Sequence, residues 1–174
     1  MNKIWKTIAI SLTLLFSLGL VAGCGSETQE KKVSAIEQIK QRGKVRIAVF
    51  SDKPPFGFVD ADGKNQGYDV YLAHRIAKDL LGDENAVEIV LTEAAARAEV
   101  LAADKVDITL ANFTVTPERR EAVDFANPYM KVALGIVSPD GAVITDVNQL
   151  KGKKLIVNKG TTAETDFSKN YPEI

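Results

Sequence analysis

The sequence predicts an α/β fold with a largely parallel sheet, because short apolar runs and amphipathic stretches alternate from Ser34 onwards. The apolar runs are rich in β-branched residues, which is typical of buried strands. Gly43 and Gly82 stand where two of the amphipathic stretches end, as expected of glycines that terminate helices. At 174 residues the chain is long enough to bury a sizeable core.

The first part of this alternation predicts a βαβαβ unit. A short helix over 36–42 precedes a strand over 45–50, whose sequence VRIAVF is almost wholly apolar. The elements predicted next are a helix over 68–81, a strand over 86–91, a helix over 94–103 and a strand over 106–111. Such units have right-handed crossovers, and their ligands bind outside the carboxyl ends of the strands.

A second set of elements follows residue 111. Thr116, Pro117 and Glu118 predict the start of a short helix, as an N-cap, a first-turn proline and a first-turn acid. Strands are predicted over 123–125, 132–137 and 154–157, and helices over 147–150 and 162–169. A lone strand such as 154–157 cannot make a sheet, so it either borrows partners from the first part or belongs to a fragment. The fragment is the favoured interpretation.

The amino terminus has the pattern of a secretory signal. Lys3 and Lys6 precede an apolar run over 7–22, which is too short and wrongly flanked for a stable membrane span. Small residues then precede Cys24, the only cysteine in the chain. This ending resembles the bacterial lipobox, which implies cleavage before Cys24 and attachment of a diacylglycerol to its sulfur. The alternative is an unmodified cysteine that follows a signal peptide by chance.

Composition and charge exclude several classes of function. The 22 basic residues nearly balance the 23 acidic ones. The sequence therefore gives no sign of the basic face that a nucleic-acid-binding protein would need. One cysteine allows no disulfide within the chain, and the single histidine cannot supply a His-x-x-x-His metal pair. The Gly-x-Ser-x-Gly motif of a nucleophilic serine is also missing from the sequence. We therefore expect no catalytic site, cofactor or metal.

Three unusual loops follow predicted strands and therefore meet at one edge of the sheet. Their sequences are SDKPPFGF at 51–58, ANFTVTPERR at 111–120 and NKGTTA at 158–163. An arginine on a capped turn suits a carboxylate, and the N–H groups at a helix start have the same polarity. The alternatives are a proline-stiffened turn in the first loop and a capped helix with solvated arginines in the second.

The sequence of these regions resembles that of the amino-acid-binding proteins of ABC importers, the family 3 bacterial extracellular solute-binding proteins. The resemblance runs in order from about Lys44 to the end of the chain. Its most specific parts are Gly67-Tyr68-Asp69-Val70 and Thr116-Pro117-Glu118-Arg119.

The resemblance implies a periplasmic-binding-protein-like fold of type II, an α/β clamp of two lobes that closes on an L-amino acid. We expect a signal peptide at 1–23, a flexible tether at 24–33, most of lobe 1 at 34–135 and the incomplete start of lobe 2 at 136–174. The implied receptor is monomeric and lipid-anchored outside the cytoplasm, and it delivers its ligand to a membrane permease. An exported enzyme or a sensor domain on the same fold is the alternative.

The resemblance also implies roles for individual residues. Arg119 is expected to hold the α-carboxylate with help from Thr114, and Thr161 and Thr162 to meet the same group from the second lobe. The stretch at Asn112 is expected to offer its backbone carbonyl to the α-ammonium group. The acidic residue that completes the ammonium site in this family has no counterpart before Ile174, so weak binding is expected.

Two further cations are expected at the side-chain end of the ligand. Lys53 and Arg97 resemble the pattern of family members that take acidic amino acids and of a close group that takes cysteine. The overall resemblance of the sequence favours cysteine or another small polar amino acid as the ligand, with aspartate and glutamate as the alternative. For Arg97 an exposed position paired with Glu93 or Glu99 is equally compatible with the sequence.

Overall fold

A computed structural model describes residues 33–174, and Ser34–Ile174 form one compact unit. The predicted signal peptide, most of the predicted tether and Cys24 lie outside the described residues. No helix within 33–174 is long and apolar enough to cross a membrane. The boundary that the sequence predicts between two lobes at 135 and 136 stays a prediction.

The regular elements of the described chain follow one another in an α/β order. They are α1 (Ala35–Arg42), β1 (Val45–Phe50), β2 (Asp52–Lys53), β3 (Gly57–Val59), β4 (Asn65–Gln66), α2 (Tyr68–Leu81), β5 (Val87–Thr92), α3 (Arg97–Ala102), β6 (Ile108–Leu110), α4 (Pro117–Ala122), two 3-10 helices (Asp140–Ala142 and Val147–Leu150) and α5 (Thr162–Asn170). The predicted βαβαβ unit is therefore present.

The main sheet has three parallel strands in the order β5, β1, β6. Strand β1 is central, with Ile47 opposite Ile89 on one side and opposite Ile108 on the other. Both β1 and α2 begin and end at the predicted residues. A central parallel strand is covered on both faces, which explains why β1 is apolar at every position except Arg46 rather than alternating.

The hydrophobic core lies between β1 and the helices α1 and α2. Val45, Ile47 and Val49 are fully buried in it, and they pack with Val70, Ala73 and Ala77 of α2 and with Ile39 of α1. A capping box begins α1, in which the Ser34 hydroxyl accepts from the Glu37 N–H while the Glu37 carboxylate accepts from the Ser34 N–H. Packing of this core holds β1, β5 and β6 in one sheet, so that their carboxyl ends lie at the same edge.

A small antiparallel sheet of β2, β3 and β4 lies between β1 and α2, and the sequence did not predict it. Its strands are two or three residues long, too short to produce a recognisable period-2 pattern. Gly67 joins this sheet to α2 at φ +114°, and a Cβ there would lie 2.2 Å from the Phe56 carbonyl oxygen. Only glycine fits this position.

The predicted strands over 123–125, 132–137 and 154–157 do not form. A strand requires a neighbour that accepts and donates its backbone hydrogen bonds, and no such neighbour lies beside these segments in the described chain. Val137 and Ile156 are accordingly 99% and 89% exposed. The three helices predicted after residue 115 are present as α4, the 3-10 helix Val147–Leu150 and α5.

Candidate functional site

A cavity of about 440 Å³ opens at the carboxyl ends of β1 and β6. Its volume falls in the range of about 300–1,000 Å³ that is usual for small-molecule sites. The seven residues that the sequence singled out as ligand-binding all line it: Lys53, Arg97, Asn112, Thr114, Arg119, Thr161 and Thr162. They come from four segments, three of which (those with Lys53, with Arg97 and with 112–119) follow the parallel strands β1, β5 and β6. Parallel strands end at a common edge, so these three segments meet there, and the turn that carries Thr161 and Thr162 completes the lining.

Arg97 is the most enclosed cation of the cavity, with only 3% of its surface exposed. Its Nε donates to the Ala94 carbonyl (2.8 Å), and its Nη1 donates to the carbonyls of Ala111 (3.1 Å) and Asn112 (3.0 Å). Its Nη2 donates to the Gly160 carbonyl (2.8 Å). The exposed alternative with Glu93 or Glu99 is therefore wrong, because these carbonyls draw the guanidinium inward.

Arg119 lies in the first turn of α4, which begins as predicted. Thr116 is the N-cap and its hydroxyl accepts from the Arg119 N–H (3.2 Å). The Arg119 side chain donates to the Thr114 carbonyl (2.7 Å) and to the Gly160 carbonyl (2.9 Å). These two bonds use two of the five guanidinium N–H groups, and the other three make no hydrogen bond to residues 33–174 and can donate to an anion.

The cavity is electropositive. Among the described residues, neither Arg97 nor Arg119 forms an ion pair with a carboxylate. Burial lowers the pKa of Arg97 to about 10, and the nearby charge of Arg119 acts in the same direction. Burial also lowers the pKa of Arg119, and Glu118 partly offsets this effect. Arg97 thus stays protonated at neutral pH, and so does Arg119.

Lys53 contributes a third, weaker positive charge at the rim of the cavity. Its ammonium group lies 2.8 Å from the Asp52 carboxylate and 5.4 Å from the centre of the Phe50 ring. The side chain is about one third exposed, so water and Asp52 both screen its charge. Arg97 and Arg119 therefore dominate the field inside the cavity.

Asn112 and the turn before α5 form the remaining polar parts of the lining. Asn112 has φ +50°, and its carbonyl, which already accepts from Arg97, keeps a second lone pair. Thr161 is the N-cap of α5: its hydroxyl donates to the Asn158 carbonyl (2.6 Å) and accepts from the Glu164 N–H (3.3 Å). Thr162 follows it as the first residue of α5.

The sequence interpretation missed two residues that organise this site. The guanidinium carbons of Arg97 and Arg119 lie 4.7 and 4.6 Å from the centre of the Phe113 ring, within the range of a cation–π contact. Gly160 supplies the carbonyl that both arginines share. An aromatic residue inside a loop that also carries arginines could have indicated the first, whereas nothing in the sequence pattern indicates the second.

The polar groups of the described lining can donate hydrogen bonds to a bound ligand and accept them from it. Three cations, two threonine hydroxyls from the turn before α5 and backbone carbonyls surround a partly apolar space. No carboxylate, imidazole or thiol belongs to the described lining, and residues 33–174 contain no group of three His, Cys, Asp or Glu residues that could hold a metal ion.

Residues 45–173 match the sequence profile of the bacterial extracellular solute-binding proteins, family 3. The chain belongs to this family. Over 187 aligned residues, this family 3 chain is 33% identical to a glutamine-binding protein of Geobacillus stearothermophilus, with 99% of the chain and 71% of the relative covered.

Two solved structures are similar to this family 3 chain over about four fifths of its length. One contains the solute receptor for L-cysteine of Neisseria gonorrhoeae, with 62% identity and a TM-score of 0.78 over 81% of this chain and 57% of that one. The other contains a cysteine-binding protein of Campylobacter jejuni, with 61% identity and a TM-score of 0.78 over 80% of this chain and 56% of that one. The family 3 chain thus spans somewhat more than half of these proteins.

This chain is also similar to proteins that carry enzymatic names. A membrane-bound lytic murein transglycosylase of Aeromonas hydrophila is 32% identical over 95% of this chain, but the match covers only 32% of that protein. The similarity of the family 3 chain to the two cysteine-binding proteins is much greater.

Proposed function

We propose that this chain is an extracytoplasmic receptor that binds an amino acid and delivers it to an ABC importer. The observation that supports the proposal best is that four segments of the chain bring seven predicted ligand residues to one electropositive cavity. The receptor works as a monomer, is anchored by a lipid on Cys24 and hands its ligand to a membrane permease. Clamp closure would follow from a ligand that touches both lobes and thereby favours the closed state.

In this proposal Arg119 holds the α-carboxylate of the ligand. Its three N–H groups that make no hydrogen bond to the described protein can offer a pair of parallel bonds to two carboxylate oxygens. Thr114, Thr161 and Thr162 lie around the same cavity and supply further polar groups to the carboxylate. The second lone pair of the Asn112 carbonyl is available to the α-ammonium group.

We propose cysteine or another small polar amino acid as the ligand. The 62% and 61% identity to two cysteine-binding proteins supports this choice. Lys53 and Arg97 would lie towards the ligand side chain, where a polar or ionisable group is favoured by their charge. The same charges would suit aspartate or glutamate, which are the second candidate ligands because their side chains carry a full negative charge.

The experiment is a calorimetric titration, with L-cysteine, L-glutamate, L-glutamine and L-arginine, of a version of the receptor that carries both complete lobes. We expect cysteine to bind most tightly, and Arg119→Ala to weaken its binding on the order of a hundredfold by removing the carboxylate partner. Arg120→Ala is the matched control, since Arg120 is the next residue on α4 but is exposed and does not line the cavity. Equal affinities of the two variants would contradict the proposal.

A further inference from the structure

One backbone carbonyl connects the two arginines of the cavity. The Gly160 oxygen accepts from Arg97 Nη2 at 2.8 Å and from Arg119 Nη2 at 2.9 Å, although the three residues are far apart in the sequence. Bonds from a charged donor are stronger than bonds between neutral groups. The carbonyl dipole therefore lies where it satisfies two guanidinium groups that have no carboxylate partner in the described chain.

The absence of a side chain lets Gly160 reach this position. Its φ is +75°, and a Cβ there would lie 2.6 Å from Ala95 Cα and 2.9 Å from the Ala94 carbonyl oxygen. Both neighbours are backbone atoms, so neither can move aside as a flexible side chain would. The turn at Gly160 thus packs backbone against backbone on the turn that precedes α3.

The turn that carries Gly160 is itself held in shape by hydrogen bonds. The Gly160 N–H donates to the Glu164 carboxylate (2.6 Å), and the Thr161 hydroxyl donates to the Asn158 carbonyl (2.6 Å). Thr161 and Thr162 follow Gly160 directly and form one wall of the cavity. The position of the Gly160 carbonyl therefore determines the position of that wall.

We infer that the Gly160 carbonyl is a latch that holds the Thr161–Thr162 wall against Arg97 and Arg119 before any ligand is bound. The carbonyl supplies the negative end of a dipole that the two arginines share, in addition to the carbonyls that each arginine contacts alone. It leaves three N–H groups of Arg119 available, so a ligand can bind without displacing the latch. Gly160 is thus a positioning residue, and the inference holds whatever the ligand is.

The test compares Gly160→Ala with Gly152→Ala in the ligand-free chain by hydrogen–deuterium exchange. Gly152 has a similar φ of +70° but no atom within 4 Å of its Cβ position, so both variants have comparable backbone strain and only Gly160→Ala pushes against Ala95. We expect exchange over 94–100 and 158–166 to become about tenfold faster in Gly160→Ala. In Gly152→Ala the same segments should stay within about twofold of the parent.

A second variant and an internal standard make the result decisive. Arg97→Lys keeps the charge but removes the guanidinium that reaches four carbonyls, so it should accelerate exchange in the same two segments. Exchange along β1 reports whether the fold is intact, and it should not change. The inference would be overturned if exchange over 94–100 in Gly160→Ala were as slow as in the parent, or if both glycine variants accelerated exchange equally. Because no ligand is added, failure of the amino-acid titrations would leave this outcome unaffected.

Discussion

The arginines of this chain are held in two chemically different ways. Arg42 and Arg46 both pair with the Asp107 carboxylate on the side of the sheet where β1 begins. Arg97 and Arg119 are held by backbone carbonyls and by the Phe113 ring. A carboxylate partner neutralises a guanidinium, whereas a carbonyl orients it and leaves its charge available. The second arrangement is the one that suits a site for an anionic group.

The pKa values of two aspartates shift in opposite directions, although burial alone would raise both. Burial raises the pKa of Asp107, but hydrogen bonds from Arg46 and Arg42 outweigh it, and the net result is a lowered pKa. Burial raises the pKa of Asp69, and the Tyr129 hydroxyl, which donates to it at 2.9 Å, only partly offsets that effect. The other carboxylate oxygen of Asp69 has no hydrogen-bond partner in the described chain.

Asp107→Asn should destabilise the chain most at neutral pH. A lowered pKa means that Asp107 binds its proton less tightly in the folded state, so its contribution is complete above the unfolded-state pKa and is lost as pH falls through the folded-state pKa. We expect a loss of roughly 1.5–3 kcal/mol at pH 7, typical of hydrogen bonds to a charged group. Urea unfolding from pH 7 into the acid range should show this loss shrinking.

Asp69→Asn is the matched control, because the pKa of Asp69 shifts in the opposite direction to that of Asp107. Because the pKa of Asp69 is raised on folding, its contribution is complete below the unfolded-state pKa and is lost as pH rises through the folded-state pKa. The cost of Asp69→Asn should therefore be largest in acid and smaller at pH 7. Parallel pH profiles for the two variants would contradict the assignment of opposite pKa shifts.

Among the described elements, strand β1 carries more buried residues than any other, whereas the apolar residues of the segment 154–157 are largely exposed. Ile47 in the middle of β1 is fully buried between two strands and beneath α2, and Ile156 is 89% exposed. Both segments are largely apolar in sequence. They differ in that β1 has a partner strand on each side, whereas 154–157 has none in the described chain. The same residue type therefore has very different energetic roles in these two segments.

Ile47→Ala and Ile156→Ala form a matched pair that tests this difference. Removing a buried isoleucine side chain costs about 2–5 kcal/mol, because it loses transfer free energy and leaves a cavity. An exposed substitution stays within about 0.5 kcal/mol. We therefore expect chemical denaturation to show a large loss of unfolding free energy for Ile47→Ala and almost none for Ile156→Ala. A large loss for Ile156→Ala would mean that 154–157 packs as the sequence predicts.

The elements that the sequence predicted well are those whose pattern is local. Helix α2 has helical apolar spacing and a terminating glycine, and β1 has a continuous β-branched run, so both were predicted to the residue. Strand formation at 132–137 depends on a distant partner, which a local pattern does not reveal. Strands β2 to β4 are too short to have a pattern.

The candidate site was predictable as a set of loops but not as a set of contacts. Parallel strands end at one edge, so the loops that carry Lys53 and Arg119 could be placed together from topology alone. The burial of Arg97 depends on carbonyls up to 63 residues away, which its helical spacing cannot indicate. The shared Gly160 carbonyl was not predictable either, because every residue has a backbone carbonyl and the residue type does not show which of them accepts a hydrogen bond.

At the scale of the whole molecule, the sequence before Ser34 predicts how the receptor is retained outside the cytoplasm. Lys3, the apolar run over 7–22 and the small residues before Cys24 together predict an exported lipoprotein. A diacylglycerol supplies two chains, and two chains anchor a protein stably where one gives only marginal binding. The polar stretch over 25–33 would then serve as the tether.

Cys24→Ser tests the anchor directly when the chain is expressed in a bacterium that processes lipoproteins. The parent chain should incorporate labelled fatty acid and sediment with the membrane fraction, because a thioether-linked lipid needs the cysteine sulfur. The Cys24→Ser variant should lose the label and appear in the fraction that does not sediment. Ser26→Ala, two residues further on, should behave as the parent. Membrane retention of Cys24→Ser without label would show that something other than a lipid on this cysteine holds the protein there.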